Sequence, residues 1–225
     1  MASNTWINVL EKPNLLEPLA IVGSVGLRSV GITVIDQLIK KVQAKLFAEL
    51  YSTHFSVIFD TKPSYAPDPD FPGEAGIKVR STIVELPKIQ FYYMTTPTLI
   101  VTRGYNADFK GQYEVAEKVV AFYEEMKVKR IIVLAGYGTE GKEVCCAATD
   151  PKIVAEMKEQ YGLEPGYEGP FYGFSGLIFG LAKAKGIEGL CLFGRTEPDL
   201  DDPEYPDEQT AAKLLKQLSI IVGLP

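Results

Sequence analysis

Histidine and cysteine are scarce in this sequence of 225 residues, which contains one histidine and three cysteines. A structural zinc site takes four Cys or His ligands, so this small supply nearly excludes one, and we expect neither a bound metal nor another cofactor. The cysteines are Cys145, Cys146 and Cys191. Their number is odd and adjacent cysteines rarely pair with each other, so the pattern indicates free thiols in a reducing compartment.

Long apolar runs and an excess of positive charge are also missing. The longest apolar stretches, such as residues 131–135 and 189–193, are far shorter than the roughly 20 residues that a transmembrane helix requires. No charged and apolar signal sequence follows the N-terminus. The net charge is −6. We therefore expect a cytoplasmic protein whose partners are neither membranes nor nucleic acids.

Strands and helices alternate along most of the sequence. Runs rich in apolar, β-branched and aromatic residues predict strands over residues 19–23, 53–59, 77–84, 89–94, 98–102, 130–135 and 189–194. Apolar residues at helical spacing predict helices over residues 35–50, 115–126, 151–162, 176–185 and 207–222. Asp150 and Asp207 stand where a carboxylate stabilises the start of a helix.

This alternation predicts the fold class. Strands that alternate with helices need crossover connections, which place them in a largely parallel sheet covered on both faces. The section over residues 53–94 has the pattern of hairpins and adds antiparallel strands. We therefore predict an α/β fold with three α/β/α layers around a largely parallel, mixed sheet. No linker or internal repeat divides the chain, so residues 1–225 are expected to form one domain.

Glycine-rich turns are the candidate sites for a small ligand. The first turn contains Gly23, Gly26, Arg28 and Ser29 and joins a predicted strand to a predicted helix. Backbone N–H groups at such a helix start, together with the guanidinium group, are suited to hold an anion. The alternative is a tight turn whose glycines permit close packing.

A second turn reads Gly136-Tyr-Gly138-Thr-Glu-Gly-Lys142-Glu143 and follows a predicted strand. It satisfies the glycine spacing of dinucleotide-binding loops and most of the spacing of a P-loop. A P-loop needs Ser or Thr after its lysine to hold magnesium, whereas the Glu143 carboxylate would repel phosphate. The alternative is a flexible surface turn.

The third turn, Gly173-Phe-Ser175-Gly-Leu177, is similar to the loop that carries the serine nucleophile of α/β-hydrolases. The second glycine of that motif is replaced by Leu177, and the single histidine, His54, lies upstream of the serine, against the chain order of these enzymes. We therefore expect Ser175 to cap the following helix, and we assign no catalytic residue.

Aromatic residues make up 11% of the sequence, and several fall in predicted loops or at strand ends. Aromatic side chains are enriched at protein interfaces because they bury a large area and lose little conformational freedom. The candidates for a partner surface are Tyr65, Phe71, Tyr105, Tyr137 and Tyr172. The alternative is ordinary packing in the core and at its edge.

Several segments, in order along nearly the whole chain, resemble the proteasome assembly chaperone 2 (PAC2) family and its archaeal and bacterial relatives. The segments that carry this resemblance are residues 17–23, Gly26, Gly31, 86–87, 91–93, 131–137, 148–149, 173–177, 186–196, 211–212, 214–215 and 223–224. No single one of these motifs is decisive. Their common order along the chain is what makes the resemblance specific.

The resemblance implies a core similar to that of nucleoside phosphorylases, a homo-oligomer such as a trimer or tetramer, and binding to proteasome core subunits, with α subunits as the expected partners. It carries over no catalytic residue. Chaperones of this type can dock through a C-terminal tail of the form hydrophobic-Tyr-any, and this sequence departs from it with Val222-Gly-Leu-Pro225. The alternative function is binding of a nucleotide, nucleoside or anion at the glycine turns, with or without phosphorylase-like or ATP-dependent activity.

Overall fold

A computed structural model describes residues 4–55, 77–203 and 205–224. Within these ranges the strands are β1 (Thr5–Val9), β2 (Leu19–Gly23), β3 (Lys45–Ser52), β4 (Lys78–Arg80), β5 (Ile83–Glu85), β6 (Ile89–Thr95), β7 (Thr98–Arg103), β8 (Arg130–Tyr137), β9 (Val144–Ala148) and β10 (Glu188–Arg195). The helices are a short 3-10 helix (Leu27–Ser29), α1 (Val30–Val42), α2 (Gln112–Glu125), α3 (Pro151–Tyr161), α4 (Gly173–Lys185) and α5 (Glu208–Val222).

Eight of the described strands form one mixed sheet in the order β1-β3-β6-β7-β2-β8-β10-β9. Its centre, β7-β2-β8-β10, is parallel. The strands on both sides of this centre pair antiparallel. The central strands are buried on both faces, which explains their continuous apolar sequences. Because these strands are parallel, their carboxyl ends meet at one edge of the sheet, where α/β proteins usually bind ligands.

Helices cover the two faces of the sheet and create two apolar layers. Alternate residues of β2 point to opposite layers, with Ala20 and Val22 in one and Ile21 in the other. Side chains of α2 and α4 complete the first layer, and side chains of α1, α3 and α5 complete the second. The predicted α/β fold with helices on both faces of a mixed sheet is confirmed, whereas the single domain over residues 1–225 stays a prediction.

The starts of two helices follow the sequence signals. Asp150 accepts a hydrogen bond from the Lys152 backbone N–H at 2.8 Å and begins α3, and Asp207 accepts one from Thr210 N–H at 2.9 Å and begins α5. Gly162 ends α3 in the left-handed conformation, as its position predicts. In the described part of the chain, every helix is too short or too polar to cross a bilayer.

The helix predicted over residues 35–50 is wrong in its second half. Helix α1 ends at Val42, Gln43 adopts a left-handed φ of 51°, and the chain continues as β3. Leu46 and Leu50 are four residues apart, a spacing that keeps two side chains on one face of a helix but also on one face of a strand. The apolar spacing alone therefore does not show where the helix ends and the strand begins.

Further differences between the predicted and the observed strands lie elsewhere in the chain. The run over residues 77–84 is the hairpin β4–β5, because Ser81 and Thr82 adopt left-handed φ values of 48° and 69° and turn the chain. Residues 144–148, which the sequence left unassigned, form β9. Of the strand predicted over residues 53–59, residues 53–55 form a turn and one isolated bridge, between Phe55 and Ala107, and the rest lies outside the described residues.

Replacement of Asp207 by alanine is expected to lower the free energy of unfolding by about 1 to 2 kcal/mol at pH 7. The carboxylate caps α5 and also accepts a 2.6 Å hydrogen bond from the Thr196 hydroxyl. Burial acts to raise its pKa, but the hydrogen bonds from Thr196 and Thr210 outweigh burial and hold the pKa below the ordinary 3.8. A lowered pKa stabilises the fold above pH 3.8, and this contribution disappears as the pH falls through the folded-state pKa.

Urea unfolding of the wild type and the Asp207 variant, followed by circular dichroism from pH 7 to pH 3, measures this difference. The two curves should converge at the acid end. Asp201→Ala, an exposed carboxylate in the preceding loop, is the matched control and should leave the midpoint unchanged. A difference for the Asp207 variant that does not change with pH would contradict the assignment.

Candidate functional site

The carboxyl ends of the parallel strands open into a cleft of about 670 Å³. Its wall includes residues 24–27 after β2, residues 134–139 at the end of β8 and residues 170–175 at the start of α4. The three glycine-rich turns of the sequence are therefore brought together in space. The volume lies within the range of small-molecule sites in proteins.

Only some of the predicted ligand residues line this cleft. Gly26, Gly136, Gly138 and Ser175 do so. Gly23, Arg28, Ser29 and Lys142 are not among the residues that line it. The two cationic side chains that suggested an anion site are therefore absent from its described wall.

Gly23 has a packing role between a strand and a helix. A β-carbon at Gly23 would lie 2.5 Å from the carbonyl oxygen of Gly31, which is closer than van der Waals contact allows. Glycine at this position therefore lets β2 and the start of α1 approach each other closely.

Arg28 fixes a later loop instead of facing the cleft. Its Nε donates to the Tyr205 carbonyl and its Nη1 to the Glu197 carbonyl, both at 2.8 Å. Its backbone N–H donates to the Pro203 carbonyl at 2.7 Å. The guanidinium group is therefore committed to carbonyl oxygens. Ser29 is fully buried beside it, and its Oγ has no hydrogen-bond partner in the described part of the chain.

The lysine-containing loop points its charge into solvent. Lys142 is exposed, and its backbone carbonyl accepts a hydrogen bond from the Tyr137 hydroxyl. The neighbouring Glu143 forms an ion pair with Lys213 at 2.5 Å. Strand β9 begins at Val144, so the helix that a P-loop requires does not follow this turn.

Ser175 lies inside α4 and does not cap it. The helix begins at Gly173, three residues earlier than a cap at Ser175 requires, and no side chain caps it. The Ser175 hydroxyl instead lies 3.2 Å from the hydroxyl of Ser24, and both side chains are buried at the cleft wall. Ser24 was missed by sequence reasoning, because its partner is 151 residues away and only the fold brings the two together.

His54 is in no position to activate Ser175, because it is not among the residues that line the cleft. It lies between two carboxylates, with Nδ1 3.6 Å from Asp108 Oδ1 and Nε2 3.5 Å from Glu114 Oε2. A backbone hydrogen bond from Gly111 is the main cause that holds the pKa of Asp108 below its ordinary value. This group is a second polar cluster, separate from the hydroxyl pair.

Aromatic rings form one side of the cleft. Tyr167 and Phe193 stack with ring centroids 4.5 Å apart and an interplanar angle of 20°. Tyr137 meets both rings edge-on, at 6.1 Å and 6.3 Å. Burial raises the pKa of Tyr137 to about 12, so its phenol is neutral at physiological pH. We refer to Tyr137, Tyr167, Phe171 and Phe193 as the aromatic wall.

The predicted partner-surface aromatics have different environments. Tyr172 is 80% exposed, whereas Tyr137 is 2% exposed and its ring belongs to the aromatic wall. Tyr105 is partly buried and packs edge-on against Phe55 at 5.0 Å. Tyr65 and Phe71 lie outside the described residues. Of the five, Tyr172 is thus the described residue best placed to reach a partner.

One exposed apolar group in the described part of the chain is one that sequence reasoning missed. Its five side chains are each 49% to 72% exposed and lie on or beside the hairpin β4–β5. They are Ile77, Val79, Ile83, Val84 and Leu86, and we refer to them as the apolar hairpin. The sequence marked this region as a strand, but apolar residues alone do not tell whether a strand is covered.

Known proteins resemble this chain in sequence and in structure. The model of the PAC2 family matches residues 20–225. The crystal structure of Pyrococcus furiosus PbaB, an archaeal proteasome activator, is 29% identical in sequence with a TM-score of 0.79, and the match covers 99% of this chain and 90% of PbaB. An uncharacterized protein of Methanocaldococcus jannaschii is 28% identical over 206 residues, which cover 87% of this chain and 73% of that protein.

A second structure has the same fold at lower identity. Pyrococcus furiosus PbaA, an archaeal homolog of proteasome-assembly chaperone, is 20% identical with a TM-score of 0.69, and the match covers 98% of this chain and 87% of PbaA. At this identity the likeness concerns the fold alone. The family match takes in β2 and every later element of the fold described above. The chain therefore belongs to the PAC2 family.

Proposed function

We propose that this protein is a non-catalytic assembly chaperone or adaptor that binds proteasome core subunits, the α subunits in particular, as a homo-oligomer. Membership of the PAC2 family and 29% identity to PbaB, an archaeal proteasome activator, support a role with the proteasome. We propose a trimer or tetramer and assign this activity to the cytoplasm. All three cysteines are buried as free thiols, which agrees with a reducing compartment.

The observation that carries the proposal is the apolar hairpin. Apolar side chains exposed together are unfavourable in water, and contiguous patches of this kind mark interaction surfaces. Val79 and Val84 form a cross-strand pair and are 72% and 64% exposed. A proteasome subunit with an apolar surface would bury these side chains, and the hydrophobic effect would favour the complex.

A second surface supports self-association. Strand β1 lies at the end of the described eight-stranded sheet and pairs with β3 on its inner side. Trp6 on this strand is 45% exposed and stacks on Tyr51 with ring centroids 5.8 Å apart. An edge strand with exposed aromatic and apolar side chains is suited to pair with a second copy.

The chemistry of the cleft supports a non-catalytic role. Among the described residues that line it, no side chain is a carboxylate, histidine, lysine or arginine. The hydroxyl pair of Ser24 and Ser175 therefore has no neighbouring base in the lining that could remove a proton. Burial raises the pKa of both Tyr137 and Tyr167, so these phenols also stay protonated at neutral pH.

Purified chain mixed with purified cognate α subunits is expected to form a complex that size-exclusion chromatography with light scattering resolves. The double variant Val79→Asp/Val84→Asp should weaken binding by about 30-fold or more, because two charges would enter the apolar interface. Leu200→Asp/Ile220→Asp is the matched control, since these side chains are 94% and 55% exposed and receive the same charge.

Three results would contradict parts of this proposal. Failure of the wild-type chain to bind cognate α subunits removes the proteasome role. Equal binding by the hairpin variant and its control removes the apolar hairpin as the surface. A wild-type mass equal to the 24.8 kDa of one chain, instead of three or four times that value, removes the homo-oligomer.

A further inference from the structure

The cleft has the volume of a small-ligand site, and binding of a protein at the apolar hairpin does not use it. Six of its lining residues are aromatic, including the stacked pair Tyr167 and Phe193. Phe193 is buried and Tyr172, at 80% exposure, stands on the same cleft. Because Tyr172 is exposed, its ring offers a flat surface on which another ring can stack.

Polar groups are few, and the fold brings Ser24, Asn106 and Ser175 to the cleft from distant parts of the sequence. The hydroxyls of Ser24 and Ser175 share one hydrogen bond, and the other contact of Ser24, to the Val25 carbonyl, is long at 3.5 Å. A pair of hydroxyls that share one bond keeps a second proton and several lone pairs for another partner. The Asn106 amide donates one proton to the Val25 carbonyl at 3.2 Å, and its second proton and its oxygen are available to a ligand.

The charge of the cleft limits the class of ligand. No charged side chain is among the described residues that line it. A phosphate or carboxylate buried there would lose its hydration without gaining a counter-charge, which is costly. Arg28, the nearest candidate cation in sequence, donates to two carbonyl oxygens instead. The cleft is therefore suited to a neutral molecule.

We propose that this cleft binds an uncharged, flat nitrogen heterocycle, namely a nucleobase or nucleoside. Its ring stacks on the exposed ring of Tyr172, and its polar edge hydrogen-bonds to Ser24, Ser175 and Asn106. A base offers both features, because its face is aromatic and its edge carries alternating donors and acceptors. The volume of about 670 Å³ accommodates a molecule of this size.

The experiment compares nucleosides with their charged counterparts. Adenosine, guanosine, cytidine and uridine, the free bases and the four 5′-monophosphates are each titrated into the full chain by calorimetry, with thermal shift as a second readout. At least one nucleoside or base should bind. Its monophosphate should bind no more tightly, because the described lining holds no cation to pair with the phosphate.

A variant at Gly26 tests whether binding occurs in this cleft. Gly26 lines the cleft, has an extended φ of −169°, and a β-carbon there would meet no atom within 4 Å. Gly26→Phe should therefore occupy cleft space without strain and weaken binding by about tenfold or more. Gly180→Phe is the matched control, because Gly180 is exposed on α4 and also has open space.

Ser24→Ala adds an independent check, since loss of this hydroxyl should weaken binding several-fold, as a missing hydrogen bond does. The absence of binding by every base and nucleoside would overturn the proposal. Tighter binding of monophosphates than of nucleosides would also overturn it, in favour of an anion site. Equal affinities of the Gly26 and Gly180 variants would show that the ligand binds elsewhere. None of these results depends on whether the chain binds α subunits.

Discussion

Replacing Phe91 by alanine is expected to lower the free energy of unfolding by about 4 kcal/mol. Phe91 is fully buried on β6, and its ring centroid lies 4.9 Å from that of Phe122 on α2. It also lies 6.4 Å from Phe47 on β3 and 6.3 Å from Tyr123. One ring thus joins the antiparallel side of the sheet to the helix above it, and its loss leaves a cavity that rigid aromatic neighbours fill poorly.

Phe109→Ala is the matched control for this change. Phe109 is 89% exposed, so the same atoms are removed from a side chain that is already in water. Urea unfolding followed by circular dichroism should show a large fall in the midpoint for the Phe91 variant and almost none for the Phe109 variant, with the same slope for both. Similar losses in the two variants would mean that Phe91 is not the packing centre that the structure indicates.

Much of the fold follows from local sequence patterns. Continuous apolar runs predicted the central strands β2, β7, β8 and β10, because parallel strands buried on both faces need such runs. Acidic caps predicted the starts of α3 and α5. The sequence did not predict the boundary between α1 and β3, because a four-residue spacing of apolar residues fits both a helix and a strand. Strand β9 was unassigned because its pairing with β10 is a long-range contact that its own residues do not reveal.

The candidate site was predictable in its location but not in its side chains. Carboxyl ends of parallel strands meet at one edge, so the convergence of the three glycine-rich turns could be expected. Arg28 points elsewhere because its carbonyl partners come from a distant loop, and the Lys142 side chain is exposed to solvent. Tyr137 is buried because β8 continues two residues beyond the predicted strand, which draws this ring into the sheet.

Substitution of Gly31 by alanine is the second change for which a large effect is expected, about 3 kcal/mol lost from the free energy of unfolding. A β-carbon at Gly31 would lie 2.4 Å from the carbonyl oxygen of Leu134 and 3.4 Å from that of Ser24. The obstacle is backbone, so a side-chain rotation cannot relieve it. Either α1 moves away from β8 or the strand itself moves, and both displacements open the second apolar layer.

Gly180→Ala is the control, because a β-carbon there meets no atom within 4 Å and alanine is favoured inside a helix. It should be neutral or stabilise the protein by up to about 1 kcal/mol. Gly31, Leu134 and Ser24 all line the cleft, so the displacement in the Gly31 variant should also weaken any ligand bound there. Equal unfolding midpoints for the two variants would contradict the close approach of α1 and β8. Loss of stability in the Gly31 variant with the control unchanged would assign Gly31 to the packing between α1 and β8 that shapes the cleft.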